Sequence, residues 1–370
     1  MGITHAGPPV SKRLLSLDFM RGLIMILLML ESTRLYDHLD EASTGTYWNG
    51  WVLQFMHHPW HGLHFWDLIQ PGFMFMAGVS VAFSLQKQKL NGIPWSSSFR
   101  KILRRCGWLF FWGVMDYAVQ PRGLSLDLTD VLTQLSFTTL VAFLIFRWTV
   151  PAQIVVCAGL LLVTEILYRF THIPGYDQPF INQHNFGNYV DRLLTNQTDP
   201  DGWVSVNCIP TAVHTIAGAL TGRLLSGQSK NKLSLILKWG LICLTLGFFL
   251  DVSGVTPIIK KIATSSFTLA SLGFCLLAIC LFYWWIDCRN HRRHTRFFTI
   301  VGMNSIFIYL FIEIVGSRFF NAYIVDLTGG LPGLIHTPAI LSKIISSLCI
   351  FALEWGICYW LYKKAIFFRL

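Results

Sequence analysis

Long apolar runs alternate with short polar links along almost the whole chain. Ten runs have the length and hydropathy of a membrane-crossing helix: residues 14–30, 65–85, 102–119, 131–146, 151–170, 204–225, 233–250, 267–286, 297–319 and 341–362. The first and fourth are short. Within each run the apolar residues are continuous rather than alternating. Backbone hydrogen bonds must then close inside each segment, which predicts helices and argues against a barrel. The pattern predicts an all-α fold: a polytopic membrane helical bundle of about ten transmembrane helices.

The polar links carry a strong charge bias. Lys12 and Arg13 precede the first run; Lys87, Lys89, Arg100, Lys101, Arg104 and Arg105 surround the link from the second to the third. Arg147, Arg223, Lys230, Lys232, Lys238, Arg289, Arg292, Arg293, Arg296, Lys363, Lys364 and Arg369 fall on the same side when the links are numbered in order. The other side holds few: Arg34, Arg122, Arg192, Lys260 and Lys261. By the positive-inside rule the basic side is the cytoplasm. The even number of runs returns the C-terminus to that side, so both termini are expected there. The long connections, residues 31–64 and 171–203, are then external, and segments of this length are usually functional or disordered. Asp18 and Arg21 inside the first run, and the lack of a small-residue cleavage site, make it a retained span rather than a signal peptide. With no internal repeat or linker, residues 11–370 are expected to form one transmembrane domain behind a flexible cytoplasmic tail, residues 1–10.

Composition agrees. Hydrophobic residues make up 53% of the 370 and charged residues 13%, too few to cover a soluble surface. Mean hydropathy is +0.51. The net charge of +10 is distributed as short clusters between apolar runs, suiting anionic lipid rather than nucleic acid. The nine cysteines include no CxxC pair and imply no disulfide framework.

Ionisable residues inside the apolar runs need a partner or a cavity. They are Asp18, Arg21, Asp67, Glu165, Glu313, Lys343 and Glu354. Asp18 and Arg21 share a helix face and suit an ion pair; Arg21 also suits an anionic ligand entering from the cytoplasm. The densest cluster is His57, His58, His61, His64 and Asp67, four imidazoles and a carboxylate within eleven residues at the outer mouth of the second run. Imidazole is suited to moving protons near neutral pH. Belt residues at the membrane interface are a second reading. Metal binding is a third, weakened by Pro59 and Gly62, which interrupt the ligand spacing. Pro71-Gly72 reads as a break or kink in the second run. Gly302-Met303-Asn304-Ser305 opens the ninth, where Asn304 suits either a ligand carbonyl or a neighbouring helix.

Ser16-Leu17-Asp18-Phe19-Met20-Arg21-Gly22 resembles the opening motif of the heparan-α-glucosaminide N-acetyltransferase family. The pattern His57, Trp60, Gly62, Leu63, Asp67, Leu68, Pro71, Phe73, Phe75 and Gly78 resembles that family's second-span motif. Tyr189–Leu194, Asp199–Gly202 and Gly302–Ile306 are similar to later ones, in the same order. The chain is expected to lack the separate N-terminal luminal domain that the family has in animals and to be a compact bacterial-type member in the inner membrane.

The resemblance implies transfer of acetyl groups from cytoplasmic acetyl-CoA, the donor substrate, to an amino sugar or glycan acceptor outside, with His57 as the catalytic histidine. Where the family has a helper Asn near the outer end of the first span, this chain has Ser32 after Glu31. Glu31 or Asp67 is therefore expected to orient His57, and Asn304 or a backbone N–H to stabilise the oxyanion. Asp18, Arg21, Arg100, Arg104 and Arg105 are the candidate CoA-binding residues on the basic side. A passage through the bundle would carry the pantetheine arm. No metal and no nucleic acid are expected; membrane lipids are, and the aromatic-rich spans allow a homodimer. The alternative is a transporter or flippase for a lipid-linked or sugar-containing solute, which should show inverted repeats that this sequence lacks.

Overall fold

The computed structural model describes residues 14–118, 128–334 and 338–368. The expected tail over residues 1–10, and Lys12, Arg13, Arg122 and Arg369, lie outside the described residues. The described chain is helical, with no strand beyond one isolated bridge between His61 and Ile259.

Helices stand at all ten predicted positions. They are α1 Leu15–Ser32, followed by two short outer helices, α2 Leu35–Ser43 and α3 Asn49–Val52; then α4 Ile69–Leu90, α5 Trp95–Ala118, α6 Val131–Ile145 and α7 Val150–Phe170. After the short α8, Phe186–Thr195, come α9 Cys208–Ser226, α10 Lys232–Val252 and α11 Ser265–Phe282. The last are α12 Thr295–Gly302, α13 Ser305–Leu310, a π-helical stretch Phe311–Phe320, α14 Asn321–Leu334 and α15 Ala339–Lys363. Among the described residues, six segments are long and apolar enough to cross a membrane: Phe65–Leu90, Val150–Phe170, Lys232–Val252, Ser265–Cys288, Ser305–Gly329 and Ala339–Lys363. The chain is an integral membrane protein by this measure.

The other four predicted runs, α1, α5, α6 and α9, fall short for identifiable reasons. α1 carries Asp18, Arg21 and Glu31; α5 carries Arg100, Lys101, Arg104, Arg105 and Asp116; α6 has 15 residues. α9 is diluted by Thr211, His214, Thr215 and Thr221, and all four are buried. A helix surrounded by protein does not need an apolar coat. The contrast is with α7 and α10, whose Val155, Leu162, Phe170, Leu241 and Phe249 are exposed, as lipid-facing residues must be.

Small residues set the central packing. Gly78 of α4 lies against the Thr215 carbonyl of α9, and Gly218 of α9 lies against the Phe75 carbonyl of α4, so neither position has room for a side chain. Gly22 and Gly302 bring α1 and α12 together in the same way. Helix starts follow from local chemistry. Asp130 caps α6 through the N–H groups of Leu132 and Thr133, Thr149 caps α7, and Thr264 caps α11.

Two sequence expectations are corrected. Pro71-Gly72 does not break the second run: α4 is continuous from Ile69 to Leu90, and Pro71 sits in its first turn, where a missing N–H is harmless. The interruption falls instead in the ninth run, between α12 and α13 at Met303 and Asn304, and continues as the π-helical stretch.

The ends of the bundle sort cleanly. Asp287 accepts the N–H groups of Leu15 and Ser16 at 3.1 Å each, and Asn304 bonds the backbone of Ile366 and Phe368. The start of α1, the link after α11, the α12–α13 break and the tail after α15 therefore meet at one end. The other end gathers the end of α1, the start of α4 and the α10–α11 link.

Candidate active site

The site is built where the chain enters α4. Asp67 lies in a 3₁₀ turn, Phe65–Leu68, that leads into the helix. Its Oδ2 accepts the N–H groups of His64 (2.9 Å) and His58 (3.3 Å), which folds residues 58–64 back over the turn. Asp67 is fully buried. Its other oxygen, Oδ1, lies 3.1 Å from Nδ1 of His57. Gly62 has φ +144° and no space for a side chain beside the His58 ring, so only glycine suits this bend. Its N–H donates to the Ile258 carbonyl at 2.9 Å, which docks the α10–α11 link onto the histidine segment.

That docking delivers a residue the sequence reading had not placed in the site. Lys260 is buried, with Nζ 3.0 Å from His57 Nδ1 and 3.6 Å from Asp67 Oδ1. Its ammonium also sits 5.2 Å from the centre of the Trp203 ring, within cation–π range. The available signal was the exception it made: Lys260 and Lys261 are adjacent cations on a side otherwise nearly free of them.

Both contacts of His57 are made through Nδ1, so Nε2 is the nitrogen open to an incoming group. The side chain is 41% exposed and faces Trp66 and Trp203. Burial and the neighbouring Lys260 charge hold its pKa below the ordinary histidine value, against the pull of Asp67. Burial also pulls the Lys260 pKa down to about 8, with Asp67 and Glu31 opposing.

The other histidines are occupied elsewhere. His61 pairs with Asp251 at 2.7 Å, His64 Nδ1 bonds the Met56 carbonyl at 3.0 Å, and His58 packs edge-on against His64. Among the described residues no three His, Cys, Asp or Glu side chains converge as metal ligands.

His57 opens onto a cavity of about 250 Å³. Leu28, Ile69 and Phe73 form its apolar side, and Trp66, Trp203 and Tyr309 its aromatic walls. Facing His57 and Lys260 are the carboxyls of Glu31, Asp116, Asp130 and Glu313. Asp116 is buried, and its Oδ1 has no hydrogen-bond partner among the described residues. Glu313 is one of the intramembrane acids that the sequence shows to need a partner or a cavity, without placing it at this site; Asp116, Asp130 and Trp203 are not singled out by the sequence.

Other site expectations are redistributed. Glu31 lines the cavity, but its Oε1 accepts from Trp66 Nε1 at 3.0 Å; the carboxylate on His57 is that of Asp67. Asn304 is corrected outright as an oxyanion donor. It is buried, its amide is spent on the Ile366 carbonyl and the Phe368 N–H, and it lies beside Gly302, which packs on Asp18. Asp18 is 13 residues before Glu31 on α1, roughly 20 Å along the helix. Asp18 and Arg21 are paired at 2.6 Å. Arg105 is close enough to Arg21 for their charges to repel, and its Nε is buried without a hydrogen bond among the described residues. Arg100 and Arg104 point outward from α5 and are exposed. The expected passage is not a single open cavity: the His57 cavity reaches Leu28, and α1 between there and Arg21 is closed by the buried Ile24, Met25 and Ile26.

No family model matches the chain. It is similar to heparan-alpha-glucosaminide N-acetyltransferase of Mus musculus, 24% identical over 428 aligned positions that cover 97% of this chain and 61% of the mouse protein. The Homo sapiens protein of the same name is also 24% identical, with 97% and 60% covered. The chain thus spans about three fifths of the length of these curated relatives. The similarity is that of a distant relationship, and it points to acetyltransferase chemistry.

Proposed function

We propose that this protein is a transmembrane acetyltransferase. It moves the acetyl group of cytoplasmic acetyl-CoA to the amine of an amino sugar or glycan on the outer side, with His57 as general base. One observation carries the reading: an imidazole anchored through Nδ1 turns its free Nε2 into a cavity walled by carboxyls and tryptophans.

The carboxyls favour a cationic amine over a neutral hydroxyl as the acceptor, and Trp66 and Trp203 suit the apolar face of a sugar ring. The acceptor amine reaches the cavity as its ammonium, is held by Asp116, Asp130 and Glu313, and releases one proton to water. The neutral nitrogen then attacks the thioester carbonyl, forming the N–C bond, and gives its surplus proton to Nε2 of His57. The C–S bond breaks, and the departing thiolate takes that proton from His57. Asp67 accepts from Nδ1–H throughout and keeps Nε2 the proton-exchanging nitrogen.

Ten spans with both termini in the cytoplasm remain our reading of the topology. The meeting of the chain start, the α11–α12 link and the C-terminal tail at one end supports it. Lys89, Arg147 and Arg223 also converge, around a 640 Å³ cavity at the end of α4 remote from Asp67. A bacterial inner membrane is the location this orientation suits, and residues 11–370 act as one domain. For the donor, Arg21 and the unsatisfied Nε of Arg105 are the groups suited to CoA phosphates. Transfer then requires the layer at Met25 and Met74 to part and admit the pantetheine arm.

The test is steady-state kinetics of purified protein with acetyl-CoA and a glucosaminide acceptor. His57→Ala should retain its fold and CoA binding while turnover falls ~10²–10⁴-fold. Unchanged turnover in a folded His57→Ala protein would contradict the role. Movement of unmodified solute without acetylation would support a transporter instead.

A further inference from the structure

Lys260 has no role in the site expected from the sequence, yet it is the charged group nearest the reacting imidazole. It is anchored at both ends. Its carbonyl accepts the Ala263 N–H at 2.8 Å, and its link is pinned to the histidine segment by the Gly62–Ile258 bond and the His61–Ile259 bridge. Its ammonium closes a triangle with His57 Nδ1 and Asp67 Oδ1, with sides of 3.0, 3.1 and 3.6 Å.

This triangle constrains the protons. Nδ1 has one position for a hydrogen. If Nδ1–H points at Asp67, Nε2 is bare and basic. If Nδ1 instead accepts from Lys260, Nε2 carries the hydrogen and cannot act as a base. At 3.1 Å a bare Nδ1 would also face the Asp67 carboxylate lone pair to lone pair, so the first arrangement prevails. Lys260 is then a cation held against an imidazole that must itself become cationic during the reaction.

We propose that Lys260 is a positioning residue for His57, whose charge keeps the imidazole unprotonated between turnovers and returns the proton quickly once His57 has accepted it. The proposal rests on the acetyltransfer reading only for its kinetic consequence. Like charges about 3 Å apart disfavour the second ionisation. The groups facing the pair are Asp67 from the turn before α4, Glu31 from α1, Lys261 from the same link, and Asp116, Asp130 and Glu313 across the cavity. Of these only Lys261 adds to the repulsion; the carboxyls oppose it. Without Lys260, only burial and Lys261 would oppose the pull of Asp67 and the acidic wall, and the imidazolium would form at a higher pH.

The experiment compares the wild-type protein with Lys260→Met and Lys260→Gln, two neutral replacements, and with Lys260→Arg. Histidine titrations are followed by NMR on ¹⁵N-histidine-labelled protein, with His57→Gln used to assign the signal. In parallel, kcat/KM is measured against pH. Removing the charge should raise the pH at which His57 titrates by about one unit. The acid limb of kcat/KM should move up with it, giving about a tenfold loss below the limb that recovers at higher pH. Lys260→Arg should keep the wild-type limb. A structural role would lower activity equally at every pH and leave the His57 titration in place. Identical His57 titrations in wild type and in folded Lys260→Met or Lys260→Gln would overturn the proposal. The NMR result does so independently of whether acetyl transfer is observed, so failure of the enzymatic reading is separately visible.

Discussion

In the proposed reaction the two ring nitrogens of His57 have separate tasks, and Asp67 separates them. One Asp67 oxygen fixes the loop through two backbone N–H groups, and the other faces Nδ1. Asp67→Asn keeps the shape but offers Nδ1 either a weaker acceptor or a donor that would reverse the tautomer. It should lower kcat by ~10²–10⁴-fold with a smaller change in KM, measurable by steady-state kinetics. The acidic wall makes a different prediction. Asp116 touches neither His57 nor Lys260, so Asp116→Asn should act on acceptor binding. The expected result is a rise in KM for an amine acceptor of about tenfold, roughly 1.4 kcal/mol, with kcat nearly unchanged. A fall in kcat alone would assign Asp116 to the chemistry instead.

At the scale of elements, the site depends on how tightly α4 and α9 approach. Gly78 and Gly218 face carbonyls of the opposite helix, so Gly78→Leu must push the pair apart. Overpacking of this kind typically costs 1–3 kcal/mol, and a lower melting temperature in detergent should report it, together with lost activity as α4 carries Asp67 away. The helices themselves were legible in the sequence because lipid demands apolar runs of fixed length. What was not legible was the effect of burial by protein. The α12–α13 break is written as Gly302-Met303-Asn304, a pattern that resembles a ligand-binding motif as well as a helix end. Its Asn serves the tail after α15, 62 residues downstream for its bond to Ile366. Pro71 read as a break only because the sequence does not show that α4 begins two residues before it. The His57–Asp67 pair was within reach because both residues lie in one short segment. Lys260 lies 203 residues from His57, and the docking of the α10–α11 link onto the histidine segment, through the Gly62–Ile258 bond and the His61–Ile259 bridge, brings it there.

For the whole molecule the claim is one of sidedness. The basic links and both described chain ends gather at one end, and the His57 cavity lies at the other. Cys288 is exposed in the link after α11 and should be shielded from a membrane-impermeant maleimide in right-side-out vesicles. An Asp201→Cys variant, in the outer connection, should be labelled under the same conditions. The reverse pattern would invert the topology. The most direct test of the account is to trap a glucosaminide acceptor inside inside-out vesicles and to add labelled acetyl-CoA only outside. The account predicts labelled N-acetyl product within the lumen, absent in His57→Ala vesicles. Product formed only when donor and acceptor share a compartment, or formed equally by His57→Ala, would contradict it.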